Sequence, residues 1–164
     1  MENLPPPLFS NSSVILLSDN DFKIRDRKNK LEIKLINKQF QNKHGYIMIY
    51  ASWCPHCRAK EDFWSYLADQ FNSNPEFKKE DFRIGALDVD NSQAVNILEA
   101  LEVGPIPRFL HVIPSPHFTG EEYIVDYQGD HLTPEGLIGE VCDMAPTENI
   151  CNFDWRQLRP PPIQ

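Results

Sequence analysis

Apolar and polar positions change period several times along the chain, and each change marks an element. Val14, Ile15, Leu16 and Leu17 form a short apolar run of strand type, followed by the turn formers Ser18, Asp19, Asn20 and Asp21. Residues 22–25 and 31–35 alternate apolar with charged positions on either side of a polar turn at 26–30. That period of two predicts a β-hairpin with one buried face, and a helix starting at Asp21 is the competing reading. A polar connection leads to residues 45–50, which are aromatic, β-branched and uncharged, the composition of a strand buried on both faces. Beyond the cysteines that follow, Phe63, Trp64, Leu67, Ala68 and Phe71 recur at spacings of one, three and four. This is the stripe of a helix over 58–71 that lies on a sheet.

The second half continues the alternation. Residues 82–90 read as another strand running into a polar corner. Residues 93–101 read as a short helix carrying Val95, Ile97, Leu98 and Leu101. Gly104, Pro105, Ile106 and Pro107 make a constrained turn before a strand at 108–113. A loop at 114–120 and a strand at 123–127 follow, the strand closed by Gln128, Gly129 and Asp130. Thr133 is the expected N-cap of a last helix, with Pro134 at its first position and Pro146 as its stop. Strands alternating with helices, with two strands in succession near the end, predict an α/β domain with one mixed sheet between helices. The expected division is an extended polar arm over 1–13, a domain over 14–145 and a proline-containing tail over 146–164.

Charge and composition narrow the function classes. A net charge of −8 on 164 residues argues against general nucleic-acid affinity. The balance is uneven, since residues 1–43 hold eight of the 16 Lys and Arg but five of the 24 Asp and Glu. A solvated surface hairpin accounts for that, and contact with an acidic partner is the alternative. No window is apolar enough to span a membrane, and the first residues lack the charged and apolar regions of a signal peptide. The expectation is therefore a cytoplasmic protein.

The chemistry concentrates at Trp53, Cys54, Pro55, His56 and Cys57. Two thiols three positions apart on the first turn of a helix can bond without rearranging the backbone. In a chain with few cysteines such a pair reads as redox-active or metal-binding. Zinc needs two further ligands. Cys142 and Cys151 lie nine apart, and the five histidines are scattered, so redox chemistry is preferred, with no metal and no cofactor. Pro55 fixes a backbone angle suited to a helix start. Unpaired N–H groups there, a cationic His56 and an S–H donor on Cys57 all favour the thiolate of Cys54. Cys142 and Cys151 are read as free thiols, with a disulfide clamping the tail as the alternative. Phe153 and Trp155 in the tail either pack back on the domain or anchor a partner.

The motif and its surroundings resemble the thioredoxin superfamily, most closely domains of the protein disulfide isomerase type. The likeness rests on Trp53-Cys54-Pro55-His56-Cys57 after Tyr50, Ala51 and Ser52. It extends to residues 87–91, to residues 103–107, to Tyr127, Gln128, Gly129 and Asp130, and to the lead-in at 17–22. The lead-in is also similar to that of redox-active thioredoxin-like proteins of large DNA viruses. The resemblance implies a thioredoxin fold over about 14–145, with the hairpin at 22–35 in place of the usual first helix. It implies thiol–disulfide exchange with Cys54 as nucleophile and Cys57 as resolving thiol, acting on protein thiols or disulfides and served by an electron-transfer partner. It further implies that Pro107 is a cis-proline beside the thiols and that the Ile106 backbone pairs with substrate, with Trp53 as a shielding aromatic. Two positions depart from the family pattern. Met48 stands where many members carry a buried carboxylate, and Arg108 follows the proline where a small residue is usual, placing a cation that would act on Cys54 or select acidic substrates. The alternative function is a thioredoxin-fold binding or structural component of a larger assembly, such as a virus particle, with redox activity secondary.

Overall fold

The computed structural model describes residues 7–75, 81–115 and 120–126, together with residues 136, 139, 142 and 143. Over residues 7–126 the described elements follow in the order β1 (Ile15–Leu16), β2 (Phe22–Arg27), β3 (Lys30–Leu35), β4 (His44–Tyr50), α1 (Pro55–Arg58), α2 (Glu61–Ala68), β5 (Phe82–Asp88), α3 (Val95–Ala100), β6 (Arg108–Ile113) and β7 (Glu122–Asp126). The strands form one mixed sheet in the order β1-β5-β4-β6-β7-β3-β2. β4 is central, parallel to β5 and antiparallel to β6.

The uncharged composition of β4 has a direct consequence: its side chains feed two cores. Tyr46, Met48 and Tyr50 point into a cluster with Trp64, Leu67, Phe71, Phe82 and Ile84. Ile47 and Ile49 point the other way, into a cluster with Leu35, Phe40, Leu87, Ile97, Leu110 and Val112. Alternation with period two places successive residues on opposite faces, so a strand apolar throughout is at home only where both faces are covered. On the first face the buried indole of Trp64 donates to the Gly85 carbonyl at 2.8 Å, which ties α2 to β5. The hairpin formed by β2 and β3 pairs Phe22 with Leu35 and Ile24 with Ile33. It extends the sheet beyond β7, where Lys34 and Glu122 of adjacent strands are both buried. The Lys34 ammonium lies 3.3 Å from the centre of the Tyr123 ring, a favourable site for a cation with little water around it.

Two elements differ from the sequence pattern. The single helix expected over 58–71 is broken in three: α1, α2 and a π-helical turn over Asp69–Ser73. The extra residue in that turn, closed by the Asn74 N–H donating to the Asp69 carbonyl at 3.0 Å, accompanies full burial of Phe71. The arm expected to be extended instead turns over residues 8–11, and Leu8 and Phe9 are only 2% and 3% exposed. Phe9 meets Tyr50 edge-on at 5.1 Å, and its N–H donates to the Glu61 carboxylate at 3.1 Å. A tertiary docking site therefore overrides the polar composition around these two residues. The turn at 128–130, most of the helix expected from Thr133, and the tail with Cys151, Phe153 and Trp155 lie outside the described residues. Cys142 is disulfide-bonded, which overturns the expectation of a free thiol there.

His111, buried at the far end of the sheet, stacks on Tyr46 at 4.8 Å and lies 6.2 Å from His44. Burial, reinforced by His44, pushes its pKa down to about 4. The folded state thus holds it neutral while the unfolded chain titrates near the usual value. The stability this contributes is present above about pH 6.5 and is lost as pH falls towards 4. Melting temperatures between pH 7 and 4 should fall less steeply for His111→Phe than for the wild type. Equal slopes would remove His111 as a cause of acid sensitivity.

Candidate active site

β4 ends at Tyr50, and the buried Ala51 carries the chain into a turn that delivers Cys54 to the N-cap of α1. Cys54 has extended backbone angles (φ −85°, ψ 116°), and Pro55 occupies the first turn, where its missing N–H leaves no bond unmade. The Cys54 sulfur accepts the Cys57 N–H at 3.3 Å, the bond an N-cap side chain makes. The Cys54 carbonyl accepts from the Arg58 N–H at 3.0 Å, and the Cys54 N–H donates to the Ala51 carbonyl at 3.2 Å. The motif is therefore fixed at both ends by backbone bonds.

Burial deepens steeply through it. Trp53 is 61% exposed, Cys54 4% and Cys57 0%. Cys57 belongs to the same buried cluster as Met48, Tyr50, Ala51 and Trp64. Desolvation, followed by its hydrogen bond with Cys54, pushes the Cys57 thiol up to about 12. Two thiols one helical turn apart are thus chemically unequal: Cys57 is held as the protonated thiol, and Cys54 has the outer position.

The loop before β6 closes the other side. The Ile106–Pro107 peptide bond is cis. The Ile106 carbonyl lies 3.9 Å from the Cys54 sulfur. Pro55 and His56 are exposed on α1. Trp53 is held by its indole N–H, which donates to Asp90 at 2.8 Å, and Asp88 in turn accepts from the Asp90 N–H at 2.9 Å. Asp88 forms the turn expected of it. The second role of Asp90, as the anchor of Trp53, carries no local sequence signal, because the two residues are 37 positions apart.

Arg108 is placed differently from the rest. Its guanidinium forks onto Asp126 at 2.8 and 3.2 Å and donates a third bond to the Leu101 carbonyl at 2.8 Å. The cation is committed to β7 and to the end of α3. The structure brings together Trp53, Cys54, Pro55, His56, Cys57, Ile106 and Pro107, while the Arg108 charge is taken up within the fold.

A mixed sheet whose central strand ends in a capped pair of cysteines, faced by an X–Pro loop, defines a thioredoxin-type domain. The chain matches the thioredoxin family over residues 27–131 and belongs to that family. It is 30% identical over 162 residues to protein disulfide-isomerase 1 of Caenorhabditis elegans, a match covering 92% of this chain and 30% of that protein. The chain thus spans less than a third of that relative's length. Among solved structures, the J-Trx1 fragment of ERdj5 is similar with a TM-score of 0.51 at 15% identity, covering 82% of this chain and 53% of that one; this is a likeness of fold.

The raised Cys57 value has a measurable sign. The folded dithiol form holds the proton more tightly than the unfolded chain does. The associated stability is therefore complete below about pH 9 and is lost as pH rises towards 12. Melting of the reduced protein from pH 8 to 11 should show a decline that is shallower in Cys57→Ala, each curve corrected for its own value at pH 8. Parallel curves would contradict a buried, proton-retaining Cys57.

Proposed function

We propose that this chain is a protein thiol–disulfide oxidoreductase in which Cys54 is the nucleophile and Cys57 the resolving thiol. The observation that carries this reading is the inequality of the two sulfurs, one at the rim of the core and one sealed within it. In the reducing direction the Cys54 thiolate attacks one sulfur of a substrate disulfide. A Cys54–substrate disulfide forms, and the other substrate sulfur leaves as thiolate. Cys57 then gives up its proton and attacks the Cys54 sulfur. The remaining substrate sulfur leaves, and the two electrons of the dithiol have passed to the substrate. The oxidising direction runs the same steps backwards: a substrate thiolate attacks Cys54 and expels Cys57, which takes up a proton.

Each neighbour has a role in this scheme. Pro55 and the Cys57 N–H hold the Cys54 sulfur in place. His56, exposed on the same turn, supplies an imidazole beside the reacting sulfurs. The backbone at Ile106, beside cis Pro107, offers an edge where an extended substrate segment can pair, and Trp53 forms the wall next to it. The substrates are proteins bearing thiols or disulfides, and a separate dithiol or disulfide partner restores the starting state.

Wild-type protein should reduce insulin disulfides with dithiothreitol as electron source, and Cys54→Ser should fall to the uncatalysed rate. Cys57→Ser should retain the first step and accumulate a covalent adduct with the substrate, visible as a mass increase that reductant removes. In the reduced wild type, iodoacetamide should label Cys54 well before Cys57. A folded wild type with no exchange activity in either direction would instead favour a binding or structural module.

A further inference from the structure

Beside the reacting sulfur the surface is indented. A groove of about 390 Å³ is bounded by Trp53, Val89, Leu98, Glu99, Val103 and Ile106. It is continuous with the site, because Ile106 also presents its carbonyl to Cys54 and Trp53 immediately precedes that cysteine. The floor is apolar and the edge is acidic. Glu99 is exposed on α3 and, among the described residues, makes no ion pair. Asp90 carries a second carboxylate at Trp53, and Glu102 is exposed just beyond α3. The cation closest in sequence to the loop, Arg108, is bound to Asp126 and Leu101. The helix α1, which begins directly after Cys54, carries His56 and Arg58.

We propose that this groove is a specificity subsite for the exchange reaction. It receives an apolar side chain of the substrate next to the reacting cysteine, and Glu99 selects a Lys or Arg beside that side chain. The inference rests on the function proposed above and names its substrate class: thiol- or disulfide-bearing protein segments that are apolar and basic around the cysteine. The volume suits one large side chain with part of its neighbour. An exposed carboxylate acting on a mobile ammonium contributes modestly, so the expected preference is about 2- to 5-fold at low salt. It should fade in about 1 M salt, where screening acts over about 3 Å.

The test uses two disulfide-bridged peptides that are identical except for Lys or Glu next to a leucine–cysteine pair. The rate at which the dithiol protein reduces each is measured in single turnover by chromatography, and the readout is the ratio of the two rates within one protein. The wild type should favour the Lys peptide, Glu99→Gln should bring the ratio near one, and Glu99→Lys should invert it. Circular dichroism checks that both variants fold. A wild-type ratio of one, or a ratio unchanged in both variants, would overturn the subsite. The neutral hydroxyethyl disulfide separates the two levels of the argument. Wild-type turnover of that compound with no peptide preference removes the subsite alone, and no turnover of any of the three removes the exchange function and the subsite with it.

Discussion

The constraint on which this structure depends is the burial of β4 on both faces. From Gly45 to the end of the strand every residue is buried. Its large side chains are divided between the two clusters on either side of the sheet. Full burial of such a side chain contributes roughly 1.5–3 kcal/mol, so the strand cannot slide by one residue without exchanging both cores at once. Its C-terminal end is therefore a fixed point. The cysteine pair begins four residues beyond that end, on a turn bonded back to Ala51. The reactive geometry thus inherits its position from the core, with only a short loop between them.

The gradient of exposure from Trp53 to Cys57 follows from the same placement. A helix starting at the edge of a buried strand turns one thiol outward and the next one inward. Cys57 therefore lies among Met48, Tyr50 and Trp64. In the exchange proposed above, the Cys57 thiolate is the species that burial penalises, as leaving group when the disulfide is opened and as attacking group when it is closed. Met48 stands where many members of this family carry a carboxylate, and it is itself fully buried. Burial keeps the proton on Cys57, and Met48 offers no basic group to receive it.

Much of this was readable from period and composition. The hairpin, the doubly buried strand, the short helix with Ile97 inside and the strand after Pro107 fall within a few residues of where alternation places them. What sequence could not reveal depends on partners distant in the chain. Phe9 looks like part of a polar arm until Tyr50 and Glu61 are beside it. The break between α1 and α2 falls at residues 59–60, before the stripe from Phe63 to Phe71 begins, so the stripe carries no sign of it. The π-helical turn that accompanies Phe71 has no signature of its own. Asp90 reads as a corner residue, and only the folded chain shows it holding Trp53. The cysteine pair itself was legible because its chemistry requires a fixed local spacing, which a sequence displays directly.

Arg108 shows why a residue next to a site need not act on substrate. Read along the chain, it follows Pro107 and brings a cation to the neighbourhood of Cys54. In the fold, its fork onto Asp126 joins β6 to β7, and its third bond reaches the Leu101 carbonyl at the end of α3. The segment from Leu101 to Arg108, which includes Ile106, is thereby held at both ends by one side chain. A two-point charge-assisted pair is directional as well as attractive, so it restricts where the Ile106 carbonyl can sit relative to Cys54. With that cation occupied, the groove next to the loop retains an acidic edge. The charge that β6 pairs with Asp126 and the charge that α3 leaves at the groove are two halves of the same electrostatic arrangement.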